Sequence, residues 1–373
     1  MKKYTLLRTF MLFIAALILC GWFSIHTQAA ITKGVKAPEQ TVCFEPDTTS
    51  VLKNPLTGWV MYLGRAWDEN FWQTQRYDAM PVNGGDSTVR VSDYAGTCYI
   101  RINWNMLESK EGKYVWNDPD SRIYKLLASV RERGMRLAFR INVDSRDQGQ
   151  NTPLYVKEAG AKGFQDPNNS QIWSPYPDDA VFQQKYEKFL QAFAVAFDDP
   201  DKVDFIDAYG LGKWGEAHGV KYNDYSKKEE VFEWITDVMS RLFTKVPIMI
   251  NYHRCLLSTK GSGDVDTGIS ADLVKRAVAK GFCLRHDAFG MKQYYKDWER
   301  GIAAAYRGIV PITMEGGWVE SSHGGSIAGD GYKNFAEVRQ GEYDEAKGSY
   351  VNMMDFRFAT NVNTGETHSW FNT

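Results

Sequence analysis

The chain has 373 residues and a formal net charge of −2. That length suits one large α/β domain, and the near balance of acidic and basic side chains leaves no electrostatic footprint for nucleic acid. Aromatic residues make up 14% of the chain, twelve Trp among them, which fits a large core as readily as platforms for ring stacking.

Residues 1–30 read as a targeting segment. Lys2, Lys3 and Arg8 precede the apolar run "FMLFIAALILCGWF", and the small residues of "HTQAA" follow it. This is the pattern of a secretory signal, and the run is short for a stable membrane span. Export to a periplasmic or extracellular space is expected. Cys20 raises lipid anchoring as an alternative, but Leu19 stands where a lipoprotein cleavage site wants a small residue. No later stretch is apolar enough to span a bilayer. Residues 31–53 form an N-terminal extension with a strand-like "QTVCFE" (40–45), and residues 54–373 form the main domain. Cys43, Cys98, Cys255 and Cys283 remain after the signal. They are scattered without metal-ligand spacing, so buried thiols and disulfides both stay open.

Short apolar runs then alternate with helical patterns. The candidate strands are "GWVMYL" (58–63), "CYIRINW" (98–104), "MRLAFRINV" (135–143), "VDFIDAYG" (203–210), "PIMINYH" (247–253), "CLRHDAF" (283–289), "IVPITME" (309–315) and "YVNMMDF" (350–356). Between them lie helical segments such as "SRIYKLLASVRERG", whose Ile123, Leu126, Leu127 and Val130 recur at helical spacing. Eight strands with interposed helices predict a (β/α)8 barrel, the TIM barrel, with an abbreviated eighth unit because only "RFATNVNTGETHSWFNT" follows the last strand. A doubly wound sheet is the runner-up, but no Gly-rich phosphate loop opens a helix. Residues 64–97 fit poorly and carry only a weak helix around "ENFWQTQRYDAM".

In such barrels the functional site lies at the carboxyl ends of the strands. The polar residues gathered there are Arg101, Asn103, Arg140, Asn142, Asp144, Glu216, Asn251, Tyr252, His253, Arg285, His286, Asp287, Glu315 and Asp355, with Trp214, His218 and Trp318 beside the two glutamates. Strand ends are wet, and most such residues in most barrels do nothing special. Two glutamates after strands four and seven are less ordinary. Glycoside hydrolysis needs one carboxyl group to protonate the leaving oxygen and one carboxylate to attack the anomeric carbon or activate water. Glu216, next to the apolar face of Trp214, suits the first role. Glu315 suits the second if a guanidinium such as Arg101 reaches it.

The segment "INWNMLESKEGKYVWNDPDSRIYKLLASVRERGMRLAFRI" resembles the second βα unit of the retaining glycosidases of clan A, the β-galactosidase-like barrels. Trp104, Leu107, Glu108, Glu111, Gly112, Tyr114 and Trp116 match that pattern in order. "GLGKWGEAHG" resembles an uncharacterised secreted branch whose fourth strand ends in Gly-x-Gly-x-Trp-Gly-Glu-x-His. The resemblance implies acid/base catalysis by Glu216 and a nucleophile at Glu315. It departs at Gly215, where most clan A enzymes place an Asn that binds the sugar 2-hydroxyl, so that contact must come from elsewhere.

The expected activity is therefore a retaining hydrolysis of a β-linked oligo- or polysaccharide, without a metal or organic cofactor. Arg101, Asn103, Arg140, Asn142, Trp214, His218, Tyr252, His253, His286, Asp287 and Trp318 would line the sugar site. A non-catalytic carbohydrate-binding barrel in polysaccharide uptake is the alternative. No His lies at HExxH spacing and no Ser in a G-x-S-x-G elbow, which disfavours metallohydrolase and esterase chemistry. His218, His253, His286 and Asp287 could share a metal, but hydrogen bonding around a sugar is the preferred reading. Sugar identity, linkage and oligomeric state are not written in the sequence.

Overall fold

A computed structural model describes Asp47 and residues 50–63, 69–81, 87–252, 267–292, 294–316 and 327–356. The chain divides between Ser50 and Val51, and the architecture below belongs to the second unit. Eight strands close into a parallel barrel: β1 (Gly58–Leu63), β2 (Ala95–Asn103), β3 (Arg136–Asn142), β4 (Val203–Asp207), β5 (Ile248–Asn251), β6 (Phe282–Phe289), β7 (Ile312–Gly316) and β8 (Met353–Phe356). They neighbour one another in chain order, and β8 closes the ring on β1 with Gly58 opposite Met353. The expected (β/α)8 fold is present. The segment after Phe356, including the abbreviated closing unit, lies outside the described residues, as do the signal and "QTVCFE".

The helices form where the pattern and caps place them. Helix α1 (Arg122–Glu132) starts at Ser121, whose hydroxyl accepts from Tyr124 N at 3.0 Å, and it buries Ile123, Leu126, Leu127 and Val130. Helix α2 (Ala180–Phe197) is capped by Asp179, which accepts from Val181 N and Phe182 N. Its buried face is a ladder of Phe182, Tyr186, Phe189, Phe193 and Phe197, which meets Trp104, Trp116 and Phe139 with ring centroids 4.8–6.4 Å apart. Burying each such ring contributes about 1.5–3 kcal/mol. Helices α3 (Lys228–Leu242), α4 (Thr267–Ala279), α5 (Asp297–Tyr306) and α6 (Phe335–Gly348) follow β4, β5, β6 and β7. Among the described residues no helix is long and apolar enough to cross a membrane.

Inside the barrel the pleat sets up the site. Val60, Tyr99, Ala138, Phe205, Met249, Cys283 and Met353 form an apolar plug. Side chains alternate faces along a strand, so the residue two further on points the same way. From Tyr99, Ala138, Phe205, Met249, Cys283 and Met353 that step leads to Arg101, Arg140, Asp207, Asn251, Arg285 and Asp355. A charged storey thus rests on an apolar one.

Three features depart from the sequence expectation. The weak helix between β1 and β2 is reduced to Phe71–Thr74, followed by a ribbon of Met80–Pro81 and Thr88–Val89. An antiparallel ribbon, Gly163–Asp166 with Asn169–Pro175, is inserted between β3 and α2. The matched Glu108 is a packing hub, accepting from Trp104 Nε1 at 2.9 Å, Gly112 N at 2.7 Å and Tyr155 Oη at 2.7 Å. Cys98 and Cys283 are free buried thiols, and burial raises both, Cys283 to about 11. Cys43 and Cys255 lie outside the described residues.

Candidate active site

The loop after β4 turns back on itself within a few residues. Lys213 N donates to His218 O at 2.9 Å, Glu216 N to Lys213 O at 3.1 Å and Ala217 N to Leu211 O at 2.9 Å. Closing so tightly takes left-handed backbone at Trp214 (φ 62°) and Ala217 (φ 58°), a conformation that costs most residues of order 1 kcal/mol or more. Gly215 (φ 71°) shows why the motif is glycine-bracketed. A Cβ there would come within 2.9 Å of Arg140 Cδ and 3.0 Å of Asn142 Oδ1. The loop lies directly on the end of β3, and Arg140 Nη1 reaches Trp214 O at 3.3 Å.

This loop delivers Glu216 to the barrel mouth. Glu216, Asp287 and Glu315 each present a carboxylate oxygen within 4.8 Å of the other two. Arg101 joins the pair: Nη1 donates to Glu216 Oε1 at 2.6 Å and Nη2 to Glu315 Oε2. Each glutamate has a second guanidinium, Arg140 Nη1 on Glu216 Oε1 at 2.9 Å and Arg285 Nη2 on Glu315 Oε2 at 2.7 Å. The surroundings of Glu216 are thus cationic as well as aromatic, and His218 Nε2 stands 3.8 Å from its Oε2. All three carboxylates are buried.

One storey below, Asp207 accepts from Arg140 Nε at 2.6 Å and from Tyr99 Oη at 2.8 Å, and pairs with Arg285 Nε at 2.8 Å. Asp355 accepts from Arg285 Nη2 at 2.8 Å. Burial works to raise Asp287, but Arg140, Arg285 and Arg101, 3.3–3.6 Å away, overcome it and hold that carboxyl well below the usual range. Burial wins at Asp355, which is raised despite Arg285. The spacing of Glu216, Asp287 and Glu315 is one that could hold a cation, yet each is already paired with guanidinia, which supply positive charge at the place a metal ion would.

The structure sorts the sequence candidates. Arg101, Arg140, Glu216, Asp287 and Glu315 come together, with His218 beside them. Asn103 and Asn142 serve a neighbouring loop: their Nδ2 atoms donate to Gln148 O at 3.1 Å and Gln148 Oε1 at 3.2 Å. Trp214 is half-buried, and its Nε1 donates to Asp147 Oδ2 at 3.0 Å. Tyr252 and His286 are not brought to the cluster. Both are fully buried on the opposite pleat from Asn251, Arg285 and Asp287, with ring centroids 5.0 Å apart, and they pack against Trp298 of α5 and Tyr295 just before it. His253 and Trp318 lie outside the described residues. Sequence reasoning missed Asp207, which looked like part of an apolar strand. Its signal was its position, two residues beyond inward-facing Phe205.

No family model and no curated protein matches the chain. Solved structures do. It is similar to the catalytic domain of β-amylase from Paenibacillus polymyxa, at 15% identity over 84% of this chain and 96% of that one, with a TM-score of 0.50. It is also similar to endo-glycoceramidase II from Rhodococcus sp. (13% identity, 86% of this chain and 81% of that one, TM-score 0.49) and to xylanase B from Clostridium stercorarium F9 (15%, 80% and 85%, 0.44). At 15% identity the likeness to the β-amylase domain shows the fold alone. It is the eight-stranded parallel barrel that the resemblance to clan A implies.

Proposed function

We propose that this protein is an exported, retaining glycoside hydrolase acting on a β-linked oligo- or polysaccharide, with Glu315 as nucleophile and Glu216 as acid/base. The observation that carries the reading is the approach of their carboxylate oxygens to within 4.8 Å at the mouth of a (β/α)8 barrel. In the first step Glu315 attacks the anomeric carbon while Glu216 gives its proton to the departing glycosidic oxygen. In the second, Glu216 takes a proton from water, whose oxygen displaces Glu315 and completes hydrolysis. Arg285 keeps Glu315 oriented, so a sugar can displace Arg101 from between the glutamates without leaving either carboxylate unpaired. Asp287, held by three arginines, anchors that side of the site, and Trp214 offers an aromatic face to the ring. Arg101, Arg140 and His218 are proposed as polar contacts.

One observation favours the second reading, a non-catalytic carbohydrate-binding barrel: Arg101 spans both carboxylates and occupies the space where a reacting sugar would sit. Turnover decides between them. The mature protein, screened against nitrophenyl glycosides and plant or host glycans, is expected to release nitrophenol or new reducing ends. Binding across a broad panel with no hydrolysis would overturn the enzymatic reading.

A further inference from the structure

A cavity of about 520 Å³ opens between the loop after β3 and the inserted ribbon, with Lys213 of the loop that carries Glu216 in its wall. Asp147, Asp166, Asn168, Asn169, Ile172 and Lys213 are among its walls. The volume is that of an ordinary ligand site. It is firmly built. Gln150 clamps the ribbon to the loop from both sides, donating through Nε2 to Trp173 O at 2.8 Å and accepting from Trp173 N at 2.9 Å. Asp166 fixes the ribbon's turn by accepting from Asn168 N at 2.7 Å and Asn169 N at 3.2 Å. Asn103 and Asn142 hold Gln148 in the same loop.

The cavity is also wired to the catalytic loop. Asp147 receives Trp214 Nε1 at 3.0 Å and pairs with Lys213 Nζ at 3.5 Å, and that Nζ lies 4.2 Å from the Trp214 ring centroid. Lys213 is one turn from Glu216, whose N donates to Lys213 O. Trp214 therefore has its backbone carbonyl on Arg140 of the carboxylate cluster and its indole on Asp147 of the cavity wall.

We infer that this cavity is a distal sugar subsite, which takes neutral units of a chain whose scissile bond lies at Glu216 and Glu315. The inference rests on the proposed glycosidase reading and adds where the chain is held away from the scissile bond and that the units held there are neutral. The walls choose the chemistry. Two carboxylates and two amides offer acceptors and donors for hydroxyl groups, and buried Ile172 offers an apolar surface for a pyranose face. The one lysine among the described wall residues is already engaged by Asp147 and the Trp214 ring. A uronate would meet Asp147 and Asp166 with no unengaged cation among the described wall residues to receive it.

The test measures affinity against chain length by calorimetry. Glu315→Gln protein is titrated with xylo-, manno- and cello-oligosaccharides from disaccharide to hexasaccharide, and with oligogalacturonates. Asn169→Trp, which fills the cavity, is combined with it, and thermal unfolding checks that the combined variant keeps its fold. Affinity for one neutral series is expected to rise by about tenfold or more from disaccharide to hexasaccharide. With Asn169→Trp that gain should shrink to within about twofold, with disaccharide affinity unchanged. A length gain that survives Asn169→Trp in folded protein, or tighter binding of oligogalacturonates than of any neutral series, would overturn the subsite. Turnover of aryl glycosides by the unaltered protein with no length gain overturns the subsite alone. No turnover of any glycoside or glycan and no binding overturns the glycosidase reading with it.

Discussion

Glu216 and Glu315, carried by the fourth and seventh units of the barrel, bring carboxylate oxygens within 4.8 Å of one another. Inverting glycosidases keep the two groups about 6.5–9.5 Å apart to admit a water, and retaining ones about 5–5.5 Å. An approach of that size falls on the retaining side of this divide. The first-formed product is therefore expected to keep the anomeric configuration of the substrate, read by proton NMR before mutarotation. Glu315→Gln should abolish turnover, because a neutral amide cannot form the glycosyl-enzyme. Glu216→Gln should slow substrates with poor leaving groups far more than activated aryl glycosides. A product of opposite configuration would remove Glu315 from the nucleophile's role even if both glutamates proved essential.

Gly215→Ala tests how the loop places Glu216. The new Cβ would press on Arg140, which is fully buried and tied to Asp207, so the guanidinium cannot swing aside and the loop must move. Displacing a reacting group by about 1 Å costs about 100-fold in rate, and a fall of that order in kcat/KM is expected. Gly112→Ala is the control: it has a similar φ of 73° and nothing within 4 Å of its Cβ. It carries the same backbone strain and should leave kcat/KM close to that of the parent. Equal losses in the two variants would mean that strain, not the position of Glu216, governs the effect.

Much of this was legible in the sequence because eight apolar runs separated by helical periods admit few folds. The ribbon was not. "GFQDPNNSQIWSP" is rich in Gly, Asp, Pro and Asn, and its strands pair only with each other, so no period marks it. Helix α6 was equally faint, since "FAEVRQGEYDEAKG" has two glycines and few apolar positions. Both candidate glutamates were visible as strand-end residues. Tyr252 and His286 share those strand ends but not the face that carries Asn251, Arg285 and Asp287. The parity of Cys283, Arg285 and Asp287 against His286 shows which pleat each occupies. That Arg101 spans both glutamates is a relation across the barrel, and no spacing within one strand encodes it.

Trp214→Ala should separate binding from stability. The indole is half-buried and its one hydrogen bond described here, to Asp147, is near the surface, so the cost in folding stability should stay below about 1 kcal/mol. Losing an aromatic face against a sugar should weaken ligand affinity by about tenfold. Calorimetric titration beside thermal unfolding reads both quantities. A large drop in melting temperature with unchanged affinity would assign Trp214 to packing.

The buried carboxylates make the final prediction, because two of them shift in opposite directions around Arg285. Asp287 is lowered in the folded protein. Its stabilising contribution is therefore present above its unfolded value of about 4 and is lost as pH falls below that toward the folded value. Asp355 is raised. Its relative contribution is largest below about pH 4 and declines as pH rises through the folded value. Asp287→Asn should cost about 3–5 kcal/mol at pH 7, since it leaves Arg140, Arg285 and Arg101 short of a buried counter-charge. That cost should hold steady down to about pH 5 and begin to shrink below about pH 4, where the unfolded parent takes up a proton that folded Asp287 still refuses. Asp355→Asn should do the reverse, gaining on the parent as pH climbs above about 4, because the amide still accepts from Arg285 without the penalty of a buried charge. Urea unfolding of the three proteins across pH 3–7 measures both slopes. Differences from the parent that run in the same direction for the two variants would show that the three guanidinia do not divide these carboxylates as the geometry requires.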